Sequence, residues 1–121
     1  MPQICFQKLD WVAATTKSLG NITFQTSELQ GMTISRVTIY PGGSWSKDLK
    51  QAAGTSSCQK PHLGIMLDGK MTVQMDNGNK EMFGPNDVFM VPPGHDAWCE
   101  GDQPAVFVEF SPRADYYAAP A

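Results

Sequence analysis

The chain has 121 residues, 41% hydrophobic and 10% aromatic, which fits one domain with a real core. Charged residues make up 17%, the net charge is −3, and no basic cluster or stripe occurs, which argues against a nucleic acid or an anionic membrane surface as partner. Cys5, Cys58 and Cys99 show no zinc-knuckle spacing, and the N-terminus MPQICFQKLDW has no apolar signal core, so the expected location is the cytoplasm, with reduced thiols. No apolar run is long enough to span a bilayer.

In chain order, the first residues could hold an edge strand from Ile4 to Val12. GNITFQTSEL starts at a turn and alternates Ile22 and Phe24 against Thr23 and Gln25. MTISRVTIY is β-branched and strand-like, and PGG stops it. Residues 44–60 are polar without a clear period; SKDLKQAAG has one helical turn in it at most, and a long loop or irregular edge strand is expected. HLGIML is a short apolar strand, DGK turns it, and MTVQM puts Met71, Val73 and Met75 on one face, as core or as a dimer interface. Asn77-Gly78 predicts a type I′ hairpin, which needs positive φ at both central positions. KEMF returns and GPND turns again. VFMV is fully apolar and is expected to be central or buried on both sides. PPGHDAWCEGDQP then reads as a corner, and AVFVEF as a further strong strand. Residues 111–121 read as a tail that is partly disordered or laid over the surface.

About eight short strands with turns between them predict an all-β domain whose sheet closes or doubles, since open edges invite aggregation. A jelly-roll barrel is the first choice. An immunoglobulin-type sandwich is second, because its Cys…Trp…Cys arrangement is missing.

Asn86-Asp87, then VFMV, then Pro92, Pro93 and Gly94, resembles the second motif of the cupin family, G-x5-P-x-G-x2-H, with Asn86 in place of the leading glycine. LDGKMTVQMDNG, with Gly69, resembles the end of the first motif, G-x5-H-x-H-x3-E-x6-G, and the hairpin after it. The resemblance covers residues 40–110 of a single domain spanning 1–121. It implies a cupin-type double-stranded β-helix, a jelly-roll barrel around a small-molecule site, and pairing of two copies through edge strands. The usual ligand set is replaced. Counting back from Gly69, the family's glutamate falls on His62, its second histidine on Cys58 and its first on Ser56. Counting on from Gly94, its third histidine falls on Ala97, two residues after His95.

Cys58, His62 and His95 are therefore the candidate metal ligands. One thiolate and two imidazoles suit a borderline divalent ion, zinc first, then iron, manganese or nickel, with a fourth position open. A metal-free site is weighed equally: Cys58 as a small buried hydrophobe, and His62 as a general acid or base in an apolar barrel. Trp45, Met66, Asp96, Trp98 and Glu109 are candidate lining residues of a substrate pocket. Asp96 either orients His95 or serves the turn. Glu109 either faces the barrel, with Arg36 as a possible partner, or sits in water at its strand end; the second is favoured. Two functions follow. One is an enzyme of isomerase, lyase or cyclase type that moves a proton on a small organic molecule, with His62 catalytic. The other is a non-catalytic module that binds a metal or metabolite. In either, CQKPHLGI and VPPGHDAW are expected to meet in space.

Overall fold

The computed structural model describes residues 14–111, together with Ile4, Phe6, Lys8 and Asp10. The edge strand expected between Ile4 and Val12 and the tail from residue 112 onward fall largely or wholly outside the described residues, as does Cys5.

Among the described residues the chain forms nine strands and two short helices. In order these are β1 (Thr15–Leu19), β2 (Ile22–Leu29), β3 (Met32–Ile39), α1 (Trp45–Asp48), α2 (Lys50–Ala53), β4 (His62–Asp68), β5 (Lys70–Met75), β6 (Lys80–Phe83), β7 (Val88–Val91), β8 (His95–Glu100) and β9 (Ala105–Ser111). All strand pairs are antiparallel, in a six-stranded sheet ordered β1-β2-β3-β9-β4-β7 and a three-stranded sheet ordered β6-β5-β8. The inward faces enclose one core. Ile22 of β2, Val37 and Ile39 of β3, Met66 of β4, Met71 and Val73 of β5, Phe89 of β7 and Phe107 of β9 pack within it. This is the expected jelly roll. Met71 and Val73 are buried and Met75 packs against them, so that stripe is core and not an interface. No helix among the described residues is long and apolar enough to cross a membrane.

Several local expectations are corrected. Residues 44–54 are not a loop: Ser44 caps α1 by accepting from the Lys47 N–H (3.0 Å), and the Asp48 carboxylate accepts from the Ser44 N–H (3.0 Å). Gly54, at φ 75, ends α2 in the left-handed cap that glycine favours. The corner PPG ends sooner than expected, and His95–Glu100 is a strand paired with β5. The type I′ turn is not at Asn77-Gly78, where only Gly78 has positive φ. Gln30 (φ 51) and Gly31 (φ 83) make one instead, between Leu29 and Met32. VFMV alternates: Phe89 and Val91 are buried, whereas Val88 and Met90 are 72% and 75% exposed. It is the edge strand of its sheet, with β4 as its only paired neighbour among the described strands, and its outward face is uncovered.

Two motif positions keep their geometric task. Asn86, in the place of a glycine, takes φ 73, which Asn tolerates better than other side chains. Gly69 has φ 68, and a Cβ there would run into the Pro104 carbonyl.

Candidate functional site

Three elements converge at one end of the core. Cys58 lies just before β4, on the segment that passes alongside the start of β8. The Cys58 N–H donates to the His95 carbonyl (2.7 Å) and the Gly94 N–H donates to the Cys58 carbonyl (2.7 Å). The two stretches CQKPHLGI and VPPGHDAW therefore meet as a short antiparallel bridge. His62 opens β4 and His95 opens β8, and the rings stand edge to face with centroids 5.0 Å apart. One donor atom from each of Cys58, His62 and His95 lies within 4.8 Å of the others.

Both imidazoles are held from behind. His62 Nδ1 donates to Glu109 Oε2 at 2.6 Å, and His95 Nδ1 donates to the Pro92 carbonyl at 2.8 Å. Each Nδ1 then carries a proton, which leaves Nε2 as the atom that faces the cluster, and His62 Nε2 stands 3.7 Å from Cys58 Sγ. A tetrahedral zinc with ordinary Zn–S and Zn–N bonds would set its S and N donors about 3.6 Å apart. Outer partners that fix the tautomer are the usual companions of ligating histidines. The donor types and the Cys58–His62 separation thus suit a divalent ion, with His95 as the third donor within 4.8 Å.

Glu109 is not at a wet strand end: it is 4% exposed and faces inward with Ala105 and Phe107. It stands opposite Gly64, so His62, two residues earlier on the same face of β4, reaches its carboxylate diagonally. Arg36 is not its partner; it pairs with Val108, on the opposite face of the sheet from Ser35 and Glu109.

The charges reinforce one another. Burial pushes the Cys58 thiol up, but hydrogen bonds with His62 and His95 outweigh it and the pKa falls from 9.0 to about 6. Burial pushes His62 down, but its bonds to Cys58 and Glu109 outweigh that and lift it from 6.5 to about 9. Burial raises the Glu109 carboxyl, and the His62 partner more than reverses it, so Glu109 is held below its ordinary value. Cys99, buried without such partners, is pushed up and stays a thiol.

The cluster borders a small chamber of about 60 Å³ inside the barrel. Trp45 and Glu109 line it, as expected of pocket residues, along with Phe24, Leu49 and Ala97. Met66 does not line it; at 0% exposure it is fully within the core. Asp96 and Trp98 project from the other face of β8. Asp96 accepts from the Ser46 N–H (3.0 Å) and so ties α1 to β8, while the Trp98 indole donates to Glu100 (2.7 Å). Alternation along His95, Ala97 and Cys99 would have placed both outside, had β8 been read as a strand. Phe24 and Leu49 were not foreseen as lining residues, although the Ile22/Phe24 alternation carried the signal for the first.

No protein-family model and no curated protein matches the sequence. Solved structures do match in shape. A cupin-superfamily sugar phosphate isomerase from Silicibacter pomeroyi shares 18% identity, covering 88% of this chain and 76% of its own, with TM-score 0.66. The polyketide cyclase RemF from Streptomyces resistomycificus shares 16%, covering 88% and 79%, with TM-score 0.64. An RmlC-like cupin from Shewanella frigidimarina shares 13%, covering 95% and 98%, with TM-score 0.63. These likenesses establish the fold: a cupin-type jelly-roll barrel. Within that architecture its polar cluster is one cysteine and two histidines.

Proposed function

We propose that Cys58, His62 and His95 hold a divalent metal, zinc first, at the mouth of the chamber, and that a small organic molecule bound there undergoes proton-transfer chemistry of isomerase, lyase or cyclase type. The observation that carries this is the pair of imidazoles whose Nδ1 protons are both committed to rear acceptors. That arrangement turns Nε2 of each ring to the cluster, beside a thiol of lowered pKa. When bound, such a metal supplies Lewis acidity toward a carbonyl or water oxygen. The chain supplies the rest. Glu109 keeps the His62 proton on Nδ1, the chamber walls exclude water, and three protein donors leave a further position for a ligand.

A second reading keeps His62 catalytic without metal. It is favoured by the Cys58–His62–Glu109 line, in which a buried carboxylate orients an imidazole beside an acidic thiol, as in general acid–base sites. A module that binds without turnover uses the same residues and differs in having no activity to lose.

Cobalt(II) separates a metal centre from the metal-free reading. Metal-free protein loaded with Co(II) is expected to show an intense thiolate-to-cobalt charge-transfer band that disappears in Cys58→Ser and shifts in His95→Ala. A spectrum equal to that of aqueous Co(II) would remove the metal centre.

The protein is also proposed to pair with a second copy, through the outer face of the six-stranded sheet, where Leu67, Val88 and Met90 are exposed. Light scattering should give the mass of a dimer for the wild type and of a monomer for a Val88→Lys/Met90→Glu variant; a monomeric wild type would end that idea.

A further inference from the structure

The two spaces that meet at the metal cluster differ in chemistry. The inner chamber is walled by hydrocarbon such as Ile22, Val37, Val73, Phe89 and Phe107. Apart from the Trp45 indole, its polar lining consists of Cys58, His62, His95 and Glu109 alone. It offers no lysine, arginine, amide or hydroxyl side chain. Outside lies a groove that shares Trp45, Leu49, Cys58, His62 and Glu109 with the chamber and adds Lys17, Lys60 and the hydroxyls of Thr26, Ser35 and Thr55. The single carboxylate lining the groove, Glu109, is engaged by His62, so the groove presents a positive potential to a ligand.

A ligand that fits both spaces is amphiphilic, in a fixed order. A polyol cannot fill the chamber, because its hydroxyls would lose water and find no partner there. A short hydrocarbon chain can, in a space of about 60 Å³. Its polar function must then lie at the boundary, and any anionic group must point outward to the lysines.

We propose that the site takes an oxo acid with an apolar tail: tail in the chamber, carbonyl oxygen at Cys58, His62 and His95, and carboxylate in the groove near Lys17 and Lys60. The direction of the carbonyl rests on the metal-centre reading above; the order of apolar and anionic ends does not. A hexose phosphate, whose polar body would have to enter the hydrocarbon chamber, is excluded as a substrate.

The test is calorimetric titration of zinc-loaded protein with 4-methyl-2-oxopentanoate, 4-methylpentan-2-one and glucose phosphate, with metal content measured on each sample. The oxo acid is expected to bind tighter than the ketone, which lacks the carboxylate, and glucose phosphate is expected not to bind. The double variant Lys17→Gln/Lys60→Gln should weaken the oxo acid about tenfold and leave the ketone unchanged. Ala97→Phe, which fills the chamber beside His95, should abolish both. Because the lysine variant changes only exposed side chains, it stays informative if Ala97→Phe does not fold. Binding of glucose phosphate in preference to the oxo acid by protein that retains its metal would overturn this ligand class and leave the metal centre standing. Binding of the oxo acid, sensitive to the lysine variant, by protein that holds no metal would support the ligand class and overturn the metal centre. Equal affinity for the acid and the ketone, or binding of neither, would overturn the ligand class.

Discussion

Glu109→Ala is expected to weaken divalent-metal binding by about 100-fold, the upper end of what loss of an outer partner costs a histidine ligand. The carboxylate does not reach the cluster itself. It holds the His62 ring through a 2.6 Å bond to Nδ1, and without it the ring can rotate or take the other tautomer. Folding should suffer too. His62 would keep a largely buried ring whose Nδ1 proton has lost its acceptor, and breaking such a pair costs about 3 kcal/mol or more. Glu109→Gln keeps the shape and one acceptor oxygen but not the charge, so its loss of affinity should be about tenfold. A competition titration against a chromophoric chelator reads the affinity, and urea denaturation of the metal-free form reads the stability. Unchanged affinity in Glu109→Ala would mean that His62 does not ligate through Nε2.

In metal-free protein, Cys58 should titrate near pH 6, far below the 9.0 of an ordinary thiol, while His62 stays protonated up to about pH 9. The signs are opposite and mutually supporting: the lowered thiol is ionised above the first value, and the raised imidazole keeps its charge below the second. Between them the pair exists as thiolate and imidazolium. The thiolate absorbance of wild type minus Cys58→Ser, followed against pH, gives the midpoint directly. It is a better readout than alkylation rate, because a thiolate of low pKa is also a weaker nucleophile. His62→Gln should return the midpoint toward the ordinary thiol range of about 8.5. A midpoint that stays near 6 in that variant would show that the pairing is not what holds the thiolate. For metal binding, a preformed thiolate means that ligation near neutral pH releases no proton from Cys58, so the accompanying proton release comes from His62.

Much of this site was legible from spacing. Counting from Gly69 put His62 and Cys58 at inward positions, and the PPG corner put His95 beside them; the structure brings the three together. What spacing could not supply was register. Glu109 shares a face with Ala105 and Phe107 by simple alternation, but its meeting with His62 depends on β9 lying between β3 and β4, a pairing between segments far apart in the chain. The same is true of VFMV. Four apolar residues look alike in a central or an edge strand and under one covering layer or two, and only the assembled sheets leave Val88 and Met90 facing outward at an edge. Helices α1 and α2 each span four residues, too few to show a helical period, and the cap at Ser44 with Asp48 was their one local signature. β8 was hidden by the corner before it. Once PPG was read as a turn, the alternation of His95, Ala97 and Cys99 was passed over, and with it the outward placement of Asp96 and Trp98.

The most direct test of the metal centre is elemental analysis of protein purified without added metal and without a polyhistidine tag, repeated on Cys58→Ser and His62→Ala. The account predicts near-stoichiometric zinc, or failing that iron, manganese or nickel, in the wild type and its loss in both variants. A wild type that holds no metal even after reconstitution, or variants that retain it in full, would contradict a centre built from Cys58, His62 and His95.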